Sequence, residues 1–206
     1  APIASLEVLP SVTYLISQEI AREASVLHEV DSSGTILHSF LPIGGRFPPN
    51  VPKRPDWNSL RAHFFARRGD SLFVVSTLSD SMWTVSLADR TVLSAEALPV
   101  PSYSPPQDLP LKSGLRGPSL VVAWARSFHR ASRIVATKSS LFVMFTKGAV
   151  LQGDSTVTMM RDGQGRWHAF TDAPVLLGAR DSVLYATRDM IGDTLRVVTF
   201  AARTPL

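Results

Sequence analysis

The sequence predicts an all-β chain built from repeated, four-stranded antiparallel sheets. Apolar runs are short, helical periodicity is nearly absent, and one β-hairpin pattern recurs three times, over residues 26–40, 82–98 and 156–170. Each copy has an apolar strand, a polar turn built around Asp, and a second strand that ends in Phe or Leu. A unit that recurs along a chain is typical of repeat architectures.

Two further strands precede each hairpin. They are predicted over residues 3–9 and 12–17, 61–67 and 71–78, and 132–137 and 141–146. The second strand of each pair is apolar on both faces, as expected for a strand between neighbouring sheets. A fourth unit has strands over residues 175–178, 183–187 and 194–201 and lacks the last strand. The predicted units cover residues 3–41, 61–98, 131–171 and 174–201 of a single domain.

Two long Pro-rich connections, residues 42–57 and 99–118, separate the first three units. Loops of this length are usually functional or ordered by a partner. A short helical turn is predicted around residues 124–129. Residues 16–27 also contain fair helix formers, but a helix there would break the strand pattern that the units share, so strands are favoured.

The repeated four-strand unit resembles a blade of a β-propeller. Residues 27–40 are similar to the hairpin between the third and fourth strands in bacterial six-bladed propellers of the NHL and TolB-like families. Residues 69–75 and 180–186 resemble the entry to their second strand. The resemblance implies a binding platform in the periplasm of a bacterium. The strand count gives about four blades, of which the last is incomplete. We expect these residues to be part of a larger propeller, which we favour over an imperfectly closed four-bladed ring. In both cases one edge of the sheets stays open.

Composition limits the classes of function. Hydrophobic residues make up 45% of the 206 residues and charged residues 18%, which is typical of a folded domain. The absence of Cys excludes disulfides, thiolate metal sites and a Cys nucleophile. No apolar run approaches the roughly 18 to 20 residues that span a bilayer. We expect neither a cofactor nor a transmembrane segment.

The strongest functional signal is a basic stretch. Residues 109–153 contain seven Lys or Arg residues and no Asp or Glu, within a chain of net charge +4. Such a stretch creates a local positive field. We expect this stretch to bind a protein with an acidic surface. A solvated face is the next alternative, followed by contact with anionic lipid and then with nucleic acid. The candidate partner-binding residues in it are Lys112, Arg116, Arg126, Arg130 and Arg133.

The four tryptophans divide by position. Trp57 and Trp124 lie in or beside the long connections, where they are candidate anchors at a protein interface, since Trp is enriched at interface hot spots. Trp83 and Trp167 lie inside predicted strands. We expect these two to pack between blades.

No residue pattern predicts catalysis or a metal site. His28 and His38 face each other in the predicted first hairpin, where cross-strand surface partners are the simpler interpretation than metal ligands. Asp31 and Asp162 begin oxygen-rich turns without the further carboxylates of a calcium loop. The Asp and Gly residues there are those that turns require.

The sequence therefore predicts a non-catalytic protein-binding or accessory subunit that docks on a larger assembly. The exposed face of a membrane-bound assembly is one candidate for the docking surface. One alternative is a propeller-type hydrolase or lactonase with a metal in a central pocket. We expect the first strand of each unit to be the inner one, and these four strands offer only Glu7 and His63 for such a metal. A small-ligand sensor with a polar funnel is the other alternative.

Overall fold

The fold is a series of four antiparallel sheets. The computed structural model describes residues 5–9, 13–20, 25–42, 62–106, 117–148, 155–191 and 194–201. Within them the sheets contain four, four, four and three strands, and each strand pairs with the strands that precede and follow it in its sheet. The prediction of an all-β, propeller-like chain with an incomplete last unit is confirmed.

The strands follow the predicted order with small shifts of their ends. Sheet 1 contains β1 (Ser5–Val8), β2 (Tyr14–Ile20), β3 (Ser25–Val30) and β4 (Ile36–Pro42). Sheet 2 contains β5 (His63–Arg68), β6 (Ser71–Ser76), β7 (Ser81–Ser86) and β8 (Val92–Ala97). Sheet 3 contains β9 (Arg130–Ala136), β10 (Leu141–Thr146), β11 (Thr156–Arg161) and β12 (Trp167–Thr171). Sheet 4 contains β13 (Leu176–Arg180), β14 (Val183–Ile191) and β15 (Thr194–Ala201).

A single helix, α1 (Gly117–Arg126), precedes sheet 3 in the described residues. Pro118 stands in its first turn, where a missing N–H costs no hydrogen bond. Leu120 and Trp124 are four residues apart, so they share one helix face, and both are buried. The prediction of a short turn over residues 124–129 was therefore wrong in its bounds, and the second connection ends before Gly117. Most of the first connection, from residue 43 onwards, lies outside the described residues.

Three hydrophobic clusters hold the sheets together in chain order. One joins sheets 1 and 2, one joins sheets 2 and 3, and one joins sheets 3 and 4. The second strands β6 and β10 contribute to the clusters on both of their faces, which explains their unbroken apolar sequences. Trp83 is buried in the first cluster and Trp167 packs against the second, as predicted. In the described part of the chain, no cluster joins sheet 4 to sheet 1.

An ion pair also links each pair of neighbouring sheets. Between sheets 1 and 2, Arg90 Nη2 lies 2.9 Å from Glu29 Oε2. The equivalent pairs are Arg161 with Glu96 at 3.1 Å and Lys138 with Asp181 at 2.8 Å. The last pair is mostly exposed, so it contributes little to stability. The apolar clusters therefore dominate the association of the sheets.

The two Asp-containing turns are structural, as predicted. Asp31 Oδ1 accepts hydrogen bonds from the backbone N–H of Ser33 at 2.8 Å and of Thr35 at 2.9 Å. Asp162 Oδ1 accepts the equivalent pair, from Gln164 and Arg166, both at 2.9 Å. These bonds close tight turns after β3 and β11 and leave each carboxylate engaged by its own chain.

Candidate functional site

Three basic residues lie close together where α1 leads into sheet 3. Arg126 ends the helix, Arg130 begins β9, and Lys147 follows β10. The backbone N–H of Gly148 donates to the carbonyl of Arg126 at 3.1 Å, and Arg130 Nη2 donates to the carbonyl of Gly148 at 2.7 Å. These two bonds bring the helix end and the β10 end together. We call Arg126, Arg130 and Lys147 the basic cluster.

Two pKa shifts include the charge of a basic-cluster residue among their causes. Burial, with a smaller contribution from the nearby Arg126 charge, lowers the pKa of Arg130. Burial and the charge of Lys147 lower the pKa of the adjacent His129. Among the ion pairs of the described residues, none includes a member of the cluster. The cluster therefore presents a positive field to an approaching anion or acidic surface.

Arg126 and Arg130 are the predicted partner-binding residues that the structure brings together. Lys147 was not among them, although it lies within the basic stretch. The signal that would have found it is the hairpin register, because Arg130 pairs with Thr146, the residue before Lys147. Lys112, Arg116 and Trp57, also predicted, lie outside the described residues.

Arg133 lies apart from the basic cluster, contrary to the grouping that its sequence position suggested. Its Nη1 donates to the carbonyl of Leu177, in sheet 4. The pairing of β9 with β10 shifts register between Met144 and Phe145, opposite the segment that separates Arg130 from Arg133. Arg133 consequently borders a cavity at the centre of the sheets.

Trp124 is not the surface anchor that its position suggested. It is only 2% exposed, and its ring packs edge-to-face against Phe128 at 4.8 Å between centroids. Phe128 is fully buried, and His129 accepts a hydrogen bond at Nδ1 from the backbone N–H of Ser104 at 3.0 Å. Trp124, Phe128 and His129 are thus buried, whereas Arg126 is exposed and Arg130 is half-buried.

A cavity of about 470 Å³ lies among the first strands of all four sheets. This confirms that the first strand of each unit is the inner one. Its polar lining includes Arg67, Arg133 and Glu7, and Arg67 Nη1 lies 3.4 Å from Glu7 Oε1. Two guanidinium groups against one carboxylate suit an anion better than a cation. Within the described ranges, no group of three or more His, Asp or Glu side chains is placed to hold a metal.

His28 and His38 do not face each other. In the first hairpin His28 pairs with Ser39 and His38 pairs with Glu29, so the two imidazoles lie on opposite faces of sheet 1. His28 is fully buried, with Nδ1 2.9 Å from Ser39 Oγ, whereas His38 is exposed. Neither a metal pair nor a pair of surface partners is formed.

A second concave surface lies at the outer side of sheets 3 and 4. It is a largely apolar groove of about 360 Å³ between β11 and β12 on one side and β14 and β15 on the other. We call it the outer groove. It adjoins β15, the last strand of the incomplete sheet.

Comparison with known proteins supports the fold. No protein-family model and no curated protein matches the sequence. Among solved structures, a Bacteroides fragilis protein whose name describes it as exported matches at a TM-score of 0.52 and 15% identity, over 90% of this chain and 54% of that one. The WD40 domain of Neurospora crassa Pan2 matches at a TM-score of 0.51 and 7% identity, over 98% of this chain and 49% of that domain. The chain spans about half the length of these structures, and the likeness is one of propeller-like fold.

Proposed function

We propose that this chain is a non-catalytic protein-binding module that docks through its basic cluster on an acidic surface of a larger assembly. The observation that carries the proposal is the proximity of Arg126, Arg130 and Lys147, which form no ion pair within the described residues. Complementary charge steers association and selects partners. An acidic protein surface supplies that complement.

Exposed apolar side chains give the proposal a second support. Leu6 and Val8 on β1 are each 58% exposed, and Val197 on β15 is 52% exposed. These residues belong to the two end sheets, which no cluster of the described residues joins to each other. A partner that covers these side chains would remove their apolar surface from water.

We place the module outside the cytoplasm, in the periplasm of a bacterium, and on a membrane-bound assembly. The support is the resemblance to NHL and TolB-like propellers, together with the exported Bacteroides fragilis protein of similar fold. In the described residues no helix has the length and hydropathy that a membrane crossing demands.

The test is a salt-dependent binding measurement on the native partner. The partner is captured by cross-linking in the source cells, purified, and titrated with the wild type and with an Arg126→Ala/Lys147→Ala variant. We expect about tenfold or greater weakening at low salt, with the difference shrinking as salt rises. Lys138→Ala, an exposed lysine of the same basic stretch that pairs with Asp181, is the matched control. Equal affinity of the double variant and the wild type would remove the basic cluster from the interface.

The central cavity supports a second candidate function, the sensing of a small anion. Arg133 and Arg67 border a space of about 470 Å³, which falls within the range of small-molecule sites. We expect carboxylates or phosphates to raise the melting temperature of the wild type and not of an Arg133→Met variant. A metal-dependent hydrolase, the third alternative, requires a bound ion in a metal analysis of the purified protein.

A further inference from the structure

Two β-bulges lie at the central cavity, one on the inner strand of sheet 3 and one on the inner strand of sheet 4. In β9 the pairing passes over Ser132, the residue before Arg133. In β13 it passes over Leu177, whose carbonyl accepts the hydrogen bond from Arg133 Nη1. A bulge bends its strand and re-aims side chains, and bulges are enriched next to active sites. The two irregularities together hold one guanidinium group at the cavity wall.

The charges at the cavity wall do not balance. Arg67 Nη1 lies 3.4 Å from Glu7 Oε1, and Arg67 Nε donates to the carbonyl of Gly69 at 2.8 Å. Arg133 has a neutral carbonyl as its acceptor, and no ion pair of the described residues includes it. The charged residues of the described lining are Arg67, Arg133 and Glu7, so this lining carries one excess positive charge.

The rest of the chain does not offset this excess. The residues outside the described ranges include eight Lys or Arg residues against five Asp or Glu residues. They add positive charge on balance. An anion that is not part of this chain is therefore the better complement for Arg133.

Apolar surface stays accessible at the same cavity. Leu6 lines it and is 58% exposed, and Phe64 and Leu177, also in its lining, are half-buried. Gly178 lines it too, and a Cβ added there would meet no atom within 4 Å. Small-molecule sites combine apolar walls with a few polar groups that fix the orientation of the ligand. In this cavity Arg133 is placed to be the orienting group.

We infer that the central cavity binds a small organic monocarboxylate, whose carboxylate pairs with the Arg133 guanidinium. The apolar body of the ligand lies against Leu6, Phe64 and Leu177. The planar donors of a guanidinium match the two oxygens of a carboxylate. One negative charge balances the lining, whereas a phosphate, which carries nearly two at pH 7, leaves a negative excess beside Glu7. The inference rests on the anion-sensing function proposed for this cavity and names its ligand class.

The test uses three probes, which are benzoate, benzamide and inorganic phosphate. Benzamide matches the shape of benzoate and lacks its charge. Each probe is titrated into the purified chain by calorimetry at pH 7.5. We expect benzoate to bind the wild type at least about tenfold more tightly than either of the other two, because it alone supplies one negative charge and an apolar body.

The first variant is Arg133→Gln, which removes the charge and keeps an N–H group for the Leu177 carbonyl. We expect its benzoate affinity to fall at least about tenfold. Arg180→Gln is the matched control, because Arg180 lies on β13 and is exposed, outside the lining of the cavity. Its benzoate affinity should equal that of the wild type. Circular dichroism verifies that each variant is folded.

Two further variants keep the test decisive if Arg133→Gln does not fold. Glu7→Gln removes the negative charge of the lining, so it should tighten benzoate about threefold and admit inorganic phosphate. A purely structural role of Glu7 predicts no such gain. Gly178→Leu fills open space at the cavity without changing its charge, and it should weaken benzoate binding.

The proposal is overturned if benzamide or inorganic phosphate binds the wild type as tightly as benzoate, or if Arg133→Gln binds benzoate like the wild type. Preferred binding of phosphate would leave the anion-sensing function in place with a different ligand class. Binding of none of the three probes would remove that function as well. The Arg126→Ala/Lys147→Ala variant should bind benzoate like the wild type, so the basic cluster and the cavity are tested separately.

Discussion

Replacing Leu72 with Ala tests whether the sheets associate through their apolar clusters. Leu72 is fully buried between sheets 1 and 2. The substitution removes three carbon atoms, worth about 2.4 kcal/mol at ~0.8 kcal/mol for each buried methylene. The cavity that remains adds to this cost, so we expect a loss of about 3 to 4 kcal/mol in the free energy of unfolding. For a chain of this size, that lowers the urea midpoint by roughly 1.5 M.

Leu93→Ala is the matched control, because Leu93 lies on the same sheet but is 60% exposed. Its loss should be about 1 kcal/mol or less. Both variants are unfolded in urea and followed by tryptophan fluorescence, for which Trp83 in the same cluster is the nearest reporter. Equal losses for the two variants would contradict the proposed packing of sheet 1 on sheet 2.

Three further predictions concern single contacts. Arg90→Met should cost about 1 to 2 kcal/mol in urea unfolding, because it leaves the Glu29 carboxylate, 9% exposed, without its partner. A Glu29→Gln/Arg90→Met double variant should recover part of this loss, and no recovery would contradict a stabilising interaction between the two side chains. Hydrogen bonds from His168 and from the Arg166 backbone hold the pKa of Asp162 well below its usual value. The ionised Asp162 carboxylate therefore stabilises the fold fully above about pH 4, and this contribution declines as pH falls towards the folded-state pKa. The urea midpoint should fall less steeply between pH 7 and pH 3 for Asp162→Asn than for the wild type, and parallel curves would refute this. Gly165→Ala should cost about 1 kcal/mol of stability because φ there is +82°, and the cause is the backbone conformation, since an added Cβ meets nothing closer than 3.7 Å. Gly163→Ala in the same turn is the control, and equal losses for the two variants would exclude backbone strain as the cause.

The strands could be predicted from the sequence because their signal is local. Short apolar runs bounded by Asp, Gly and Ser determine where strands begin and end, and β10 and β15 were placed at their observed bounds. The two Asp turns were predictable for the same reason, since the hydrogen bonds that close them span four residues or fewer.

The candidate sites were less predictable because they depend on long-range register. Lys147 joins Arg130 only because β9 and β10 pair at their ends, and Arg133 is separated from both where that pairing shifts. Trp124 is buried with its ring against Phe128, a contact that an isolated Trp in the sequence does not reveal. The outer groove could not be predicted because its lining residues come from two sheets that the sequence separates.

Because the clusters join consecutive sheets only, the four sheets differ in how many neighbours they pack against. Sheets 2 and 3 share a cluster with a neighbour on either side, whereas sheets 1 and 4 share one on a single side among the described residues. In arrays coupled only between neighbours, the terminal members open at lower free energy than the interior. Among the described residues, sheets 1 and 4 are then the parts that open more readily than sheets 2 and 3.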